Sequence, residues 1–120
     1  MRRRRALPML LGALCVPLAF AAMPGAERVL VDRLIDAVAR EREAAFIRNG
    51  RRYSAADAAA FMRGKLDAMG TGVKSADEFI AQIASRSSTS GEPYRIRFAD
   101  GREVTSAEFL RAELQRLGAR

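Results

Sequence analysis

The dipeptide Asn49-Gly50 constrains this chain more than any other pair of neighbours. It stands between Phe46-Ile47-Arg48 and Arg51-Arg52-Tyr53. Both central residues of a type I′ turn need φ > 0, which Asn and Gly tolerate best, so a very short hairpin is predicted there. Asp100-Gly101 is a second hairpin turn. Before it, Tyr94-Arg95-Ile96-Arg97-Phe98 alternates strictly, as a strand with one buried face does, and Arg102-Glu103-Val104 returns after it.

Helical periods surround these hairpins. Leu30, Leu34 and Val38 recur every four residues, with Val31 and Ile35 beside them, which predicts a helix from Ala26 to about Ala44. Glu27 near its start suits the helix dipole. Ser54-Ala55-Ala56-Asp57 resembles a capping box and opens a helix whose expected buried face carries Ala58, Phe61, Met62, Leu66 and Met69. Gly64 weakens that helix by about 1 kcal/mol relative to Ala, and close packing is the expected reason for it. Gly70-Thr71-Gly72 ends it. Ser75-Ala76-Asp77-Glu78 caps a short helix burying Phe79, Ile80, Ile83 and Ala84. Thr105-Ser106-Ala107-Glu108 caps the last, with Phe109, Leu110, Leu114 and Leu117 as its apolar set. The expected fold class is α+β: a single, mostly helical domain of about four helices over residues 26–118, with a small antiparallel sheet of short hairpins.

Charge needs correcting before it is read as function. The formal +7 includes Arg2, Arg3, Arg4 and Arg5. They precede an uncharged apolar run from Ala6 to Phe20 and the small-x-small motif Ala19-Phe20-Ala21. That is the layout of a signal peptide over residues 1–21, cleaved after Ala21 or Ala22, and it places the mature chain in the periplasm or outside the cell. The run contains Pro8 and Pro17 and is short for a bilayer that needs roughly twenty apolar residues, so no transmembrane span is expected after cleavage. Cys15 raises lipidation as an alternative, but Leu14 is bulky where a lipobox wants a small residue. Subtracting the segment's four arginines from +7 leaves +3, a mild and interspersed charge that does not call for nucleic acid.

The mature chain has neither Cys nor His. No disulfide, no imidazole or thiolate metal site and no His-based triad or general base is available to it. No cofactor is expected. The remaining nucleophilic arrangement is a Ser–Lys pair, with Lys65 and Lys74 as the lysines, and no spacing directs either at a particular serine.

Two polar stretches stand out. Residues 85–94 read Ser-Arg-Ser-Ser-Thr-Ser-Gly-Glu-Pro-Tyr, a loop by mechanism, because hydroxyls, Gly and Pro satisfy or remove local backbone hydrogen bonds. Ser87, Ser88, Ser90, Gly91 and Tyr94 are its candidate ligand or partner contacts. The competing reading is a structured connector whose serines bond locally. The second stretch holds Arg48, Asn49, Arg51, Arg52 and Tyr53, the densest positive patch of the mature chain. Its arginines suit phosphates, acidic lipid or an acidic partner, or else form ordinary salt bridges with Glu41, Glu43 or Asp57.

Phe46-Ile47-Arg48-Asn49-Gly50, then Tyr53, Ala76-Asp77-Glu78-Phe79-Ile80, Ala84-Ser85, Ser87-Ser88 and Ser90-Gly91 with Pro93-Tyr94 form a series that resembles the YfeK-like proteins. These are small exported bacterial proteins with a domain of unknown function. The resemblance runs from about Ala26 to Leu117. It implies export, one domain and weight on those two polar blocks, and it carries no activity to transfer. Some members have cysteines near the positions of Ala44 and Phe98; this chain has none there, so the resemblance implies no redox role.

Three functional readings follow. The first is a non-catalytic module binding a periplasmic protein or envelope component. The second is an envelope-associated anion binder using Arg48, Arg51 and Arg52. The third, a Ser–Lys hydrolase, lacks any motif.

Overall fold

The computed structural model describes residues 22–118. The expected targeting segment, with its cleavage site and Cys15, lies outside the described residues. Among the described residues there are four helices and four strands: α1 (Gly25–Arg40), β1 (Ala45–Arg48), β2 (Arg51–Tyr53), α2 (Ala55–Met69), α3 (Ala76–Gln82), β3 (Arg95–Arg97), β4 (Glu103–Thr105) and α4 (Ser106–Arg116). This is the α+β class expected from the periodicities. Helix α1 stops at Arg40 and does not reach Ala44; the next residues turn through Arg42 N–H to Arg40 O and Ala44 N–H to Glu41 O into β1.

The local signals act as their chemistry requires. Asn49 at φ 51° and Gly50 at φ 79° make the β1–β2 turn; among the described residues Asn49 alone is a non-glycine at positive φ. The β3–β4 turn spans three residues: Gly101, at φ 91°, donates to Phe98 O, and Asp100 Oδ1 accepts from Arg102 N–H. Ser54, Ser75 and Thr105 each accept from the backbone N–H three residues on, and Thr105 with Glu108 closes a full capping box. Glu27 does more than complement its own helix. Its carboxylate accepts Ala76 N–H at 2.8 Å, so α1 caps the start of α3.

The two hairpins join into one antiparallel sheet of order β2-β1-β3-β4. Its register sets Tyr53, Phe46, Ile96 and Val104 in one row across all four strands. That row faces the helices, with Phe46 and Ile96 buried and its two end members half-buried. The alternate row, Arg52, Ile47, Arg95 and Thr105, lies on the other face. Helix α1 packs against α2, α3 and α4, while α2 meets β1 and α4 meets β3 and β4. The core centres on Leu34, Val38, Phe79, Ile80, Ile96 and Leu110.

Helix α2 departs from expectation. Phe61 and Met69 are 36% and 56% exposed, whereas Lys65 is only 7% exposed. The buried stripe is Ala55, Ala58, Ala59, Met62, Lys65 and Leu66, so Ala58, Met62 and Leu66 are buried as expected while the stripe turns away from Phe61 and Met69. Gly64 is exposed and a Cβ there would meet nothing within 4 Å, so close packing does not explain it.

Candidate functional site

The two polar stretches meet. Asn49 Nδ2 donates to Ser87 Oγ at 3.2 Å, and Ser90 Oγ donates to Asn49 Oδ1. Ser87 also accepts the backbone N–H groups of Thr89 and Ser90, which leaves its own proton for Thr89 Oγ1 at 3.0 Å. The loop is a small closed turn, pinned by Ser87 N–H to Glu92 O, by Gly91 N–H to Ser87 O with Gly91 at φ 78°, and by Tyr94 N–H to Ser85 O. Ser85 Oγ donates to Ile80 O at 2.6 Å. The Ser87, Thr89 and Ser90 side chains bond to one another, to the loop backbone and to the β1–β2 turn, and Ser85 bonds to α3, so these hydroxyls hold the loop in shape.

Lys65 holds the loop's base from within. Its Nζ donates to Arg86 O and to Tyr94 Oη, each at 3.0 Å, and sits 5.1 Å from the Tyr94 ring centroid. The hydroxyl this amine meets is therefore a phenol and not a serine, so Lys65 has no geometry for Ser–Lys chemistry. Ser88 is exposed, with its hydroxyl towards Met69 Sδ at 3.9 Å.

The open chemistry lies beside this lock. A cavity of about 380 Å³ opens between α2 and the β1–β2 end of the sheet. Phe46, Ile47 and Arg48 of β1, Tyr53 of β2, Asp57, Ala58, Ala60, Phe61 and Met62 of α2, and Tyr94, Arg95 and Ser106 line it. Its walls are mainly aromatic and aliphatic. Phe61 stands edge-on to Tyr94, with centroids 6.0 Å apart at 88°. The Arg48 guanidinium lies 4.3 Å from the Phe61 centroid and 5.3 Å from that of Tyr53, and donates to Tyr53 Oη at 3.2 Å. Phe61 is thus exposed because it walls this cavity.

Two polar groups in the cavity lack the partners that side chains of their kind ordinarily find. Among the described residues no carboxylate lies within ion-pair distance of Arg48, so the expected bridges to Glu41, Glu43 or Asp57 are absent. Ser106 is 1% exposed, and its Oγ is a buried side-chain atom without a hydrogen-bond partner.

The predicted contact residues thus divide by place. Arg48, Tyr53 and Tyr94 line the cavity; Asn49, Ser87, Ser90 and Gly91 build the lock; Arg51 and Arg52 are exposed on the edge strand. The three arginines do not share one patch, since Arg48 and Arg51 are cross-strand partners on one face while Arg52 pairs with Ile47 on the other. Phe61, Met62 and Ser106 were not among the expected contacts. Ser106 sits at an ordinary helix start, where a serine in the sequence signals nothing further.

Among the described residues no group of three or more His, Cys, Asp or Glu side chains is placed to hold a metal ion. No helix among them is long and apolar enough to cross a membrane.

Comparison with known proteins agrees with the sequence resemblance. The chain is 30% identical over 76 residues to a protein of Salmonella typhimurium (strain LT2) described as "Uncharacterized protein YfeK". The match covers 63% of this chain and 63% of the relative. No solved structure matches the chain closely enough to inform its fold. A family of unknown function, DUF5329, matches residues 25–118, and the chain belongs to that family.

Proposed function

We propose that this protein is a non-catalytic binding module whose site is the cavity between α2 and the β1–β2 end of the sheet. One observation carries this reading: an apolar, aromatic-walled cavity of about 380 Å³ holds a guanidinium without an ionic partner and a buried hydroxyl without a hydrogen bond. Small-molecule sites are concave, mostly apolar and furnished with a few convergent polar groups, at volumes of about 300–1,000 Å³. A nucleophile with a base in reach is what a catalytic reading needs, and Lys65 spends its two hydrogen bonds on Arg86 O and Tyr94 Oη.

A fragment screen by amide and methyl NMR tests the reading. Binders should shift Met62 methyl and Phe61 resonances, and Ala60→Trp, a change on an exposed residue of the cavity wall, should abolish those shifts while the fold is retained. Fragments that bind only elsewhere, or bind equally to Ala60→Trp, would refute it.

We also propose that the module works outside the cytoplasm, on the strength of the basic, apolar and small-x-small order of residues 1–21. Cell fractionation and N-terminal sequencing of the mature chain check this. The expected first residue is Ala22 or Met23, and a cytoplasmic chain retaining Arg2 to Arg5 would contradict it.

A further inference from the structure

Resting on the cavity reading above, we propose that the ligand is a small hydroxyaryl carboxylate, its carboxylate on Arg48 and its ring hydroxyl on Ser106. The polar groups and the walls each select one part of that molecule. Arg48 is half-buried with its guanidinium over the rings of Phe61 and Tyr53, contacts that restrict where it can move. Of its five N–H donors the Tyr53 phenol takes one, and no carboxylate among the described residues takes another. A planar, pre-oriented guanidinium matches a planar carboxylate through two parallel hydrogen bonds.

Ser106 is among the residues lining the same cavity, is 1% exposed, and its Oγ has no hydrogen-bond partner. A buried hydroxyl without a partner is unfavourable, and a hydroxyl can both donate and accept, so a ligand hydroxyl satisfies it in either direction. Phe61 and Tyr94 line the cavity too, meeting each other edge to face, and offer aromatic surface to a ligand ring. Charge separates a carboxylate from a phosphate. Arg48, Arg95 and Asp57 line the cavity, two positive charges and one negative, and the net +1 is balanced by one carboxylate and exceeded by a dianionic phosphate. The difference in exposure between Arg48 and Ser106 orients the ligand: carboxylate outward, hydroxyl inward.

Calorimetric titration of the full purified chain tests this with para-hydroxyphenylpropionate, its neutral amide, and phenylpropionate, which lacks the ring hydroxyl. The acid should bind saturably. Converting it to the amide, or Arg48→Met in the protein, should weaken binding about 10- to 100-fold, the range for a charge-assisted contact. Removing the ring hydroxyl should weaken binding about tenfold in the natural protein and by much less in Ser106→Ala, because the hydroxyl's partner is then gone. Both ligand changes are made on the unaltered protein, so a variant that fails to fold does not spare the proposal. Equal binding of acid and amide, or of the hydroxylated and plain acids, overturns the ligand assignment while leaving the cavity reading intact. A tripeptide ending in tyrosine that binds where the free acid does not overturns it in favour of a peptide terminus. Failure of all three probes also overturns it, and the cavity reading then stands or falls on the Ala60→Trp fragment screen alone.

Discussion

Replacing Ser106 by alanine should make the free protein more stable, which is unusual for a residue 1% exposed. Two terms set the magnitude. A buried hydroxyl with no partner costs about 1–3 kcal/mol relative to its hydrated state, and alanine removes that cost. Against it stands the volume of one oxygen atom, but Ser106 borders an open cavity, so the change widens existing space and creates no closed void. Helix capping is untouched, since Thr105 and Glu108 supply the capping box. The net expectation is a gain of about 1 kcal/mol, or roughly 4–8 °C in Tm for a domain of this size. Guanidinium unfolding with an unchanged m-value reads the first figure and calorimetry the second. Thr105→Ala is the control and should lose about 0.5–2 kcal/mol. If Ser106→Ala instead destabilises the protein by about 1 kcal/mol or more, the hydroxyl makes a stabilising bond within the fold. The reasoning that assigns it to a ligand is then refuted.

Two further outcomes follow from the loop and from helix α4. Ser87→Ala should cost about 1–3 kcal/mol, because Asn49 Nδ2 and the Thr89 and Ser90 N–H groups lose a shared acceptor, and amide exchange at Thr89 and Ser90 should accelerate. Glu108 is held below its ordinary value of 4.5, first by the Thr105 backbone N–H, then by the Thr105 hydroxyl and the charge of Arg95. A lowered folded pKa means the contribution is complete above that ordinary value and is lost as pH falls through the folded one. Acid titration of stability should therefore decline below about pH 4.5, and Glu108→Gln should flatten part of that decline; an unchanged acid slope would refute the assignment.

What was legible in the sequence is what local backbone chemistry determines. Asn49-Gly50 is a turn because only certain residues accept positive φ. Ser54, Ser75 and Thr105 start helices because a hydroxyl three residues before a free N–H bonds to it. A small antiparallel sheet of hairpins was expected, but the strand pairing that joins the two hairpins was not legible. It depends on pairing Phe46 with Ile96, fifty positions apart in the numbering, and neither strand encodes its partner.

The buried face of α2 misleads for a related reason. Lys65 falls three residues after Met62 and seven after Ala58, on the apolar stripe, but its charge argues for exposure until Arg86 O and Tyr94 Oη are brought to it. Phe61 is large and apolar and so reads as core, yet it covers a cavity wall. The two polar stretches do converge, on Asn49, Ser87 and Ser90, and in converging they engage the hydroxyls of Ser87 and Ser90. The open site lies alongside, where Arg48, Tyr53 and Tyr94 meet residues from α2 and the start of α4.

The most direct measurement is an intermolecular NOE map of the protein with bound para-hydroxyphenylpropionate. Cross-peaks from the ligand ring to Phe61, Tyr94 and the Met62 methyl, with the ring positions nearest its hydroxyl reaching Ser106 Hβ, are the predicted result. Cross-peaks confined to Arg51 and Arg52 on the edge strand, or to residues 85–94 of the loop, would contradict it.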